Sequence, residues 1–167
     1  MKNPFIITLF LLVAALSAQA VSRIGGGKIQ SVRSGFEMNI SGLFKIADIQ
    51  NDSVRCLGPV SIIQRGLTSS MGTQFFEISE FSNEFADATS LSAEKIVARF
   101  EKSGWKKISS PSCQVVMKLH TNGAIAYLAT WGSGKGFVMK GTPTAQTEQV
   151  MREALTSLTI SGGCSWK

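Results

Sequence analysis

The order of side-chain periodicities along the 167-residue chain predicts an α+β fold: an antiparallel β-sheet with two helices, at about 92–103 and 143–159. Three observations carry this. Residues 113–141 read as three strands divided by turn residues, a meander. Two stretches switch to the helical period. Strands and helices come in runs, strands then helix then strands then helix, and lack the strict βα alternation of a doubly wound parallel sheet.

The first segment stands apart. Met1-Lys2-Asn3 is a short basic start, Phe5 to Leu16 is an apolar run, and Ala18-Gln19-Ala20 fits the small-x-small rule of signal peptidase. Residues 1–20 are expected to be a secretory signal peptide cleaved after Ala20. No later stretch is apolar over the roughly 20 residues of a membrane-spanning helix. Residues 21–34 contain Gly25-Gly26-Gly27, costly to order, and are expected to form a flexible N-terminal arm. Residues 35–167 are expected to form a single α+β domain.

Phe36 to Ile40 alternates apolar and polar, the period of a half-buried strand. After Ser41-Gly42, Leu43 to Ile46 reads as a strand or a short turn. Val54 to Gln64 is β-branched, and Gly58-Pro59 inside it marks an edge or a bulge. Thr68 to Gly72 is turn material, and Thr73 to Phe81 reads as the partner strand of a hairpin. Ser92 can cap a helix with Glu94 in its first turn, with Ala93, Ile96, Val97 and Phe100 on one face and Gly104 as the stop. Trp105 is expected to fold back on that face. Residues 106–112 end in the loop signal Ser109-Ser110-Pro111. Cys113 to His120, Ala124 to Trp131 and Gly136 to Gly141 are the meander, with Thr121-Asn122-Gly123 and Gly132-Ser133-Gly134 as its turns. Pro143 suits the first turn of the second helix. Its stripe of Val150, Met151, Ala154, Leu155 and Leu158 must lie on the sheet.

The punctuation of these elements resembles the Mog1/PsbP-like group of small α+β domains over about residues 35–160. The resemblance rests on an opening Gly35-Phe36 strand, a mid-chain helix ending in Gly104-Trp105, the meander, and a closing helix ending in Ser157-Leu158. It implies binding or assembly at membranes or with partner proteins, and no shared catalytic centre.

The formal net charge is +6, unevenly placed. Residues 77–101 hold Glu77, Glu80, Glu84, Asp87, Glu94 and Glu101 against Lys95 and Arg99. Residues 102–147 hold Lys102, Lys106, Lys107, Lys118, Lys135 and Lys140 and no acid. Such asymmetry suits an acidic partner or two solvated faces. There is no Arg-rich run, RRM-type motif or finger spacing, which argues against nucleic acid.

The chemistry available is sparse. Gly132-Ser133-Gly134-Lys135-Gly136 lacks the glycine spacing and the hydroxyl of a phosphate loop and precedes a strand, so it reads as a hairpin turn. Cys56, Cys113 and Cys164 are far apart in sequence and His120 is the one histidine, so no metal and no cofactor is expected. Cys113 and His120 at the two ends of one straight strand are about 23 Å apart, too far for a dyad. Cys56 with His120 across the sheet is the remaining catalytic alternative. In an oxidising compartment two cysteines pair. Cys113–Cys164 is expected, because the closing helix returns toward the end of the sheet where the first meander strand starts. Cys56 is then a buried thiol, with Cys56–Cys113 the competing bridge.

Tyr127, Ala129 and Trp131 share one face of their strand and Leu128 and Thr130 the other. The usual fate of tryptophan makes the Trp131 face core. Were the helices to leave it open, Lys118, His120, Tyr127, Trp131, Lys135 and Phe137 would form a binding surface. The expectation is a noncatalytic exported domain, periplasmic or extracellular, binding a protein or cell-envelope component. A small secreted enzyme using Cys56 or His120 is the first alternative. The second is an inhibitor of an exported hydrolase whose 131–136 loop projects into its target.

Overall fold

The computed structural model of the chain describes residues 21–25, 27–40, 44–50, 53–65, 68–81, 91–109 and 114–161. The strands are β1 (Val21–Gly25), β2 (Lys28–Ser31), β3 (Phe36–Asn39), β4 (Lys45–Gln50), β5 (Ser53–Arg65), β6 (Thr68–Glu80), β7 (Lys106–Ser109), β8 (Val115–His120), β9 (Ile125–Trp131), β10 (Lys135–Gly141) and β11 (Thr159–Ile160). The helices among the described residues are α1 (Ala93–Lys102) and α2 (Ala145–Thr156). The strands form a seven-stranded sheet in the order β4-β5-β6-β10-β9-β8-β7 and a four-stranded sheet in the order β1-β2-β3-β11. Every pairing is antiparallel, so the α+β class is as expected, with two helices among the described residues and with two antiparallel sheets where one was expected.

The meander β8-β9-β10 folds as its turns dictate. Thr121 and Ala124 close the first turn through Thr121 N–H and the Ala124 carbonyl, 3.0 Å apart. Gly136 opens the third strand at φ 150°, where a Cβ would lie 2.3 Å from the Ala129 carbonyl oxygen. The β5–β6 hairpin is longer than expected. Thr68–Gly72 is strand rather than turn, its backbone paired with β5 from Arg65↔Thr68 to Ser61↔Gly72. Local turn propensity yields there to a partner strand already aligned. The Gly58-Pro59 break is a bulge, with the register shifting between Leu57 and Val60.

α1 starts at Ser92, whose hydroxyl accepts from the Lys95 N–H at 3.5 Å. The Glu94 carboxyl is held below its usual range by its own backbone N–H and by Ser92. The chain leaves through Gly104 at φ 86°, and Trp105 packs edge-on against Phe100, ring centroids 5.2 Å apart. α2 begins two residues later than a proline at its first position requires: Ala145 is its first residue, Thr144 is the cap, accepting from Thr147 N–H at 3.2 Å, and Pro143 precedes the cap. It ends at Thr156, before the expected 159, because Thr159–Ile160 pairs with β3. Both helix ends are anchored. Thr144 donates to Gln74 Oε1 at 2.9 Å, and Asn39 N–H donates to the Ser157 hydroxyl at 2.8 Å.

The arm expected at 21–34 is part of the fold. Val21–Gly25 and Lys28–Ser31 are strands, Ile29 is fully buried, and Ser31 donates to the buried carboxylate of Glu80 on β6. The period-2 alternation that places Ile29 and Ser31 inward outweighs the entropy cost of the neighbouring glycines. Likewise Lys106–Ser109, expected as loop, is the outermost strand of the large sheet. It is short and carries Lys106 and Lys107, features that discourage edge-to-edge pairing.

Both faces of the large sheet are therefore covered. On one, Ile96 and Phe100 of α1 with Trp105 meet Val115, Met117, Leu128 and Val138. On the other, Ile29, Phe36 and Met38 of the small sheet and Val150, Met151 and Ala154 of α2 meet Phe76, Tyr127, Ala129, Trp131 and Phe137. The expected face-sharing of Val115, Met117 and Leu119 opposite Val116 and Lys118 holds; of the helical stripe, Val150, Met151 and Ala154 are buried, whereas Leu155 and Leu158 are only half-buried against the core.

Candidate site: a groove between the closing helix and the sheet edge

α2 packs over β3, β6 and β10, which leaves a groove between the helix and the β7–β8 edge. The groove encloses about 580 Å³, within the range of small-ligand sites. Its floor is Val116 and Lys118 of β8 with Gln114 before them and Tyr127 of β9 beside them. Its wall is Glu148, Arg152 and Leu155 of α2, then Leu158, and its rim is Ile108 and Ser109 of β7. Ile108 is 52% exposed, a large apolar side chain left in solvent at the groove mouth.

Charge is arranged around one carboxylate. Lys118 Nζ donates to Glu148 Oε1 at 2.6 Å, and the Tyr127 hydroxyl donates to the same oxygen at 3.0 Å. The Lys118 ammonium holds the Glu148 carboxyl below its ordinary range. Burial, then the bond to Glu148, pushes the Tyr127 phenol up from its ordinary value. Lys106 is the cross-strand partner of Lys118, a like-charge pair that Glu148 offsets. Arg152, one helical turn beyond Glu148, makes no salt bridge among the described residues. Gln114 Oε1 is closed off from solvent with no hydrogen-bond partner.

Of the expected binding residues, Lys118 and Tyr127 line the groove. The others do not join them. Trp131 and Phe137 are buried in the core, Trp131 edge-on and Phe137 tilted against Phe36 with centroids 6.0 and 4.9 Å from it, because the small sheet covers the face that would have been open. Tyr127 is itself 1% exposed and reaches the groove only by its edge and hydroxyl. His120 and Lys135 are exposed at strand ends. Glu148 and Arg152 were not singled out in the sequence. Their signal was present: with Leu155 they follow the spacing i, i+4, i+7 along the margin of the helical stripe.

Cys56 and His120 share one cross-strand row, Cys56↔Phe76↔Gly141↔Ile125↔His120. Four strand spacings put them about 19 Å apart, so the catalytic pair is not formed. Cys56 is buried and unpaired, and burial pushes its thiol up to about 12. The 131–136 turn does not project. Gly132 O accepts from Ala93 N–H at 2.9 Å, and Gly134 N–H donates to the Leu91 carbonyl at 2.6 Å. Among the described residues no group of three His, Cys, Asp or Glu could hold a metal ion, and no helix is long and apolar enough to cross a membrane. A second depression of about 410 Å³, on the opposite face, has Phe75, Glu77 and Lys140 in its lining. Its charge is locally matched, with Arg55 3.5 Å from Glu77 and 5.7 Å above the Phe75 ring. The cysteines of the expected bridge, Cys113 and Cys164, and the signal segment 1–20 lie outside the described residues.

No protein-family model matches the chain, and no curated protein does. A crystal structure of a protein from Bacteroides thetaiotaomicron VPI-5482, at 1.50 Å resolution, is similar to it at 14% identity with a TM-score of 0.45. The match covers 82% of this chain and 49% of that one, so the chain spans about half the length of the structure it matches.

Proposed function

We propose that the protein is an exported, noncatalytic domain that binds a protein or cell-envelope component, and that it binds in the α2–β8 groove. The observation that carries this reading is the combination of an apolar lining, Val116, Leu155, Leu158 and the exposed Ile108, with a cation, Arg152, that has no salt bridge among the described residues. Binding sites are commonly apolar concavities with a few placed polar groups. Catalysis has less support. The Glu148 carboxylate is occupied by Lys118 and Tyr127, the Cys56 thiol is sealed, and His120 lies at an exposed strand end. The resemblance to Mog1/PsbP-like domains points the same way, and the N-terminal segment supports export with a mature start at Val21.

The test is site-specific photo-crosslinking in the producing cell. A crosslinker at Ile108 should capture a partner that one at Lys102, on the exposed face of α1, does not. Capture from Lys102 alone overturns the assignment of the groove. N-terminal sequencing of exported material should begin at Val21, and retention of residues 1–20 overturns the export reading.

A further inference from the structure

This inference rests on the reading of the α2–β8 groove as the binding site. We propose that the groove takes the free C-terminus of a polypeptide: an extended end with a terminal carboxylate and an apolar last side chain. Charge is the first argument. Lys118 bonds to Glu148 and Arg152 also acts on that carboxylate, so two cations and one acid leave the lining one positive charge in excess, which one carboxylate balances. A guanidinium also suits a carboxylate geometrically, since its fork can donate two parallel hydrogen bonds. The lining is the second. Val116, Leu155, Leu158 and Ile108 offer an alkyl or aromatic side chain a place to bury apolar area. The third is Gln114, a lining residue whose Oε1 has no partner and which, by turning its side-chain amide toward the groove, would accept from a peptide N–H. Length is the fourth. The floor from Gln114 to Lys118 runs about 13 Å at 3.3 Å per residue, room for about three or four extended residues. Capture of a chain terminus by its carboxylate is a known recognition mode. A fatty-acid anion would meet the first two features and leave Gln114 without a donor.

The experiment uses the full exported chain and hexapeptides ending in leucine, otherwise randomised, prepared as free acids and as C-terminal amides. The free acids should bind, with the amides weaker by roughly tenfold or more, the effect of losing a charge-assisted hydrogen bond. Arg152→Gln should abolish that difference with the circular dichroism spectrum unchanged, whereas Lys102→Gln should preserve it. Equal binding of acids and amides overturns the proposal, and so does binding of laurate in preference to every peptide. Failure of all peptides while the Ile108 crosslinker still captures its partner overturns the C-terminus and leaves the groove. Failure of both overturns both.

Discussion

Trp131 donates its indole N–H to the backbone carbonyl of Ser34 across 3.2 Å, joining the last residue of β9 to the turn between β2 and β3. Together with the bond from Ser31 to buried Glu80, it clamps the N-terminal strands onto the large sheet. Replacing Trp131 by phenylalanine keeps much of the ring contact with Phe36 and leaves the Ser34 carbonyl unpaired in a buried site. The expected cost is about 1–3 kcal/mol in urea unfolding. A loss well under half a kcal/mol would mean that residues 21–34 contribute little to stability.

The closing helix holds the core and the groove together, and its side chains should divide accordingly. Met151 is fully buried, so Met151→Ala should cost about 2–5 kcal/mol. Leu155 is half-buried at the groove wall, so Leu155→Ala should cost about 1 kcal/mol, a fraction of the value for full burial. Equal costs at the two positions would show that the helix sits differently from the arrangement described.

Much of this architecture was legible because its signals are local. Asn122-Gly123 and Gly132-Ser133-Gly134 mark the meander turns, and Ser92 and Gly104 bound α1. The strands that escaped are short and find their partners far along the chain. β11 has two residues and pairs with β3, well over a hundred residues away, and nothing near Thr159 announces it. That same small sheet decides the fate of Trp131 and Phe137, since it covers the face on which they would otherwise have been open. Lys118 and Tyr127 could be picked out as a cation and an aromatic on one strand pair. Their partner Glu148 becomes visible only once α2 is docked, because the contact joins residues whose elements are separated in sequence by β10.

The Lys118–Glu148 bond should give the protein an acid-side loss of stability. Glu148 ionises more readily folded than unfolded, since Lys118 donates to its carboxylate. Its contribution is complete above the unfolded carboxyl value, about 4.3, and is lost as pH falls through the lower folded value. Thermal melts from pH 7 to pH 3 should show a smaller acid-side decline in Glu148→Gln than in the wild type. At pH 7 the variant should be less stable by up to about 1 kcal/mol, as for a partly exposed pair. Parallel declines in both proteins would remove Glu148 from the acid transition.

Cys56 should be chemically silent in the folded protein. It is buried in a strand between its cross-strand partners Ile46 and Phe76, with its thiol pushed up to about 12 by burial, and thiolate is the reactive form. A thiol reagent at pH 8 should label it no faster than the protein unfolds. Rapid labelling of the native state at Cys56 would contradict the burial and reopen the cysteine-dependent reading of the protein's chemistry.

We propose that Cys113 and Cys164, which lie outside the described residues, form a bridge. Val115 pairs with Thr130, so Gln114 falls level with Trp131 at the end of the sheet, and Cys113 precedes Gln114 by one residue. Trp131 bonds to Ser34, and Ser161 N–H donates to the carbonyl of the adjacent Gly35 at 2.7 Å, so the chain arrives at the same end after β11. Cys164 follows Ser161 by three residues, a reach of up to about 10 Å. Cys56 is a poor competitor because oxidising it first requires opening the core around it. Non-reducing peptide mapping of protein from an oxidising compartment should therefore link Cys113 to Cys164 and recover Cys56 as a thiol. The bridge closes a loop of about 50 residues, and its reduction should lower stability by about 4 kcal/mol in the chain-entropy model. A linked peptide containing Cys56, or three free thiols in such material, would rule this pairing out.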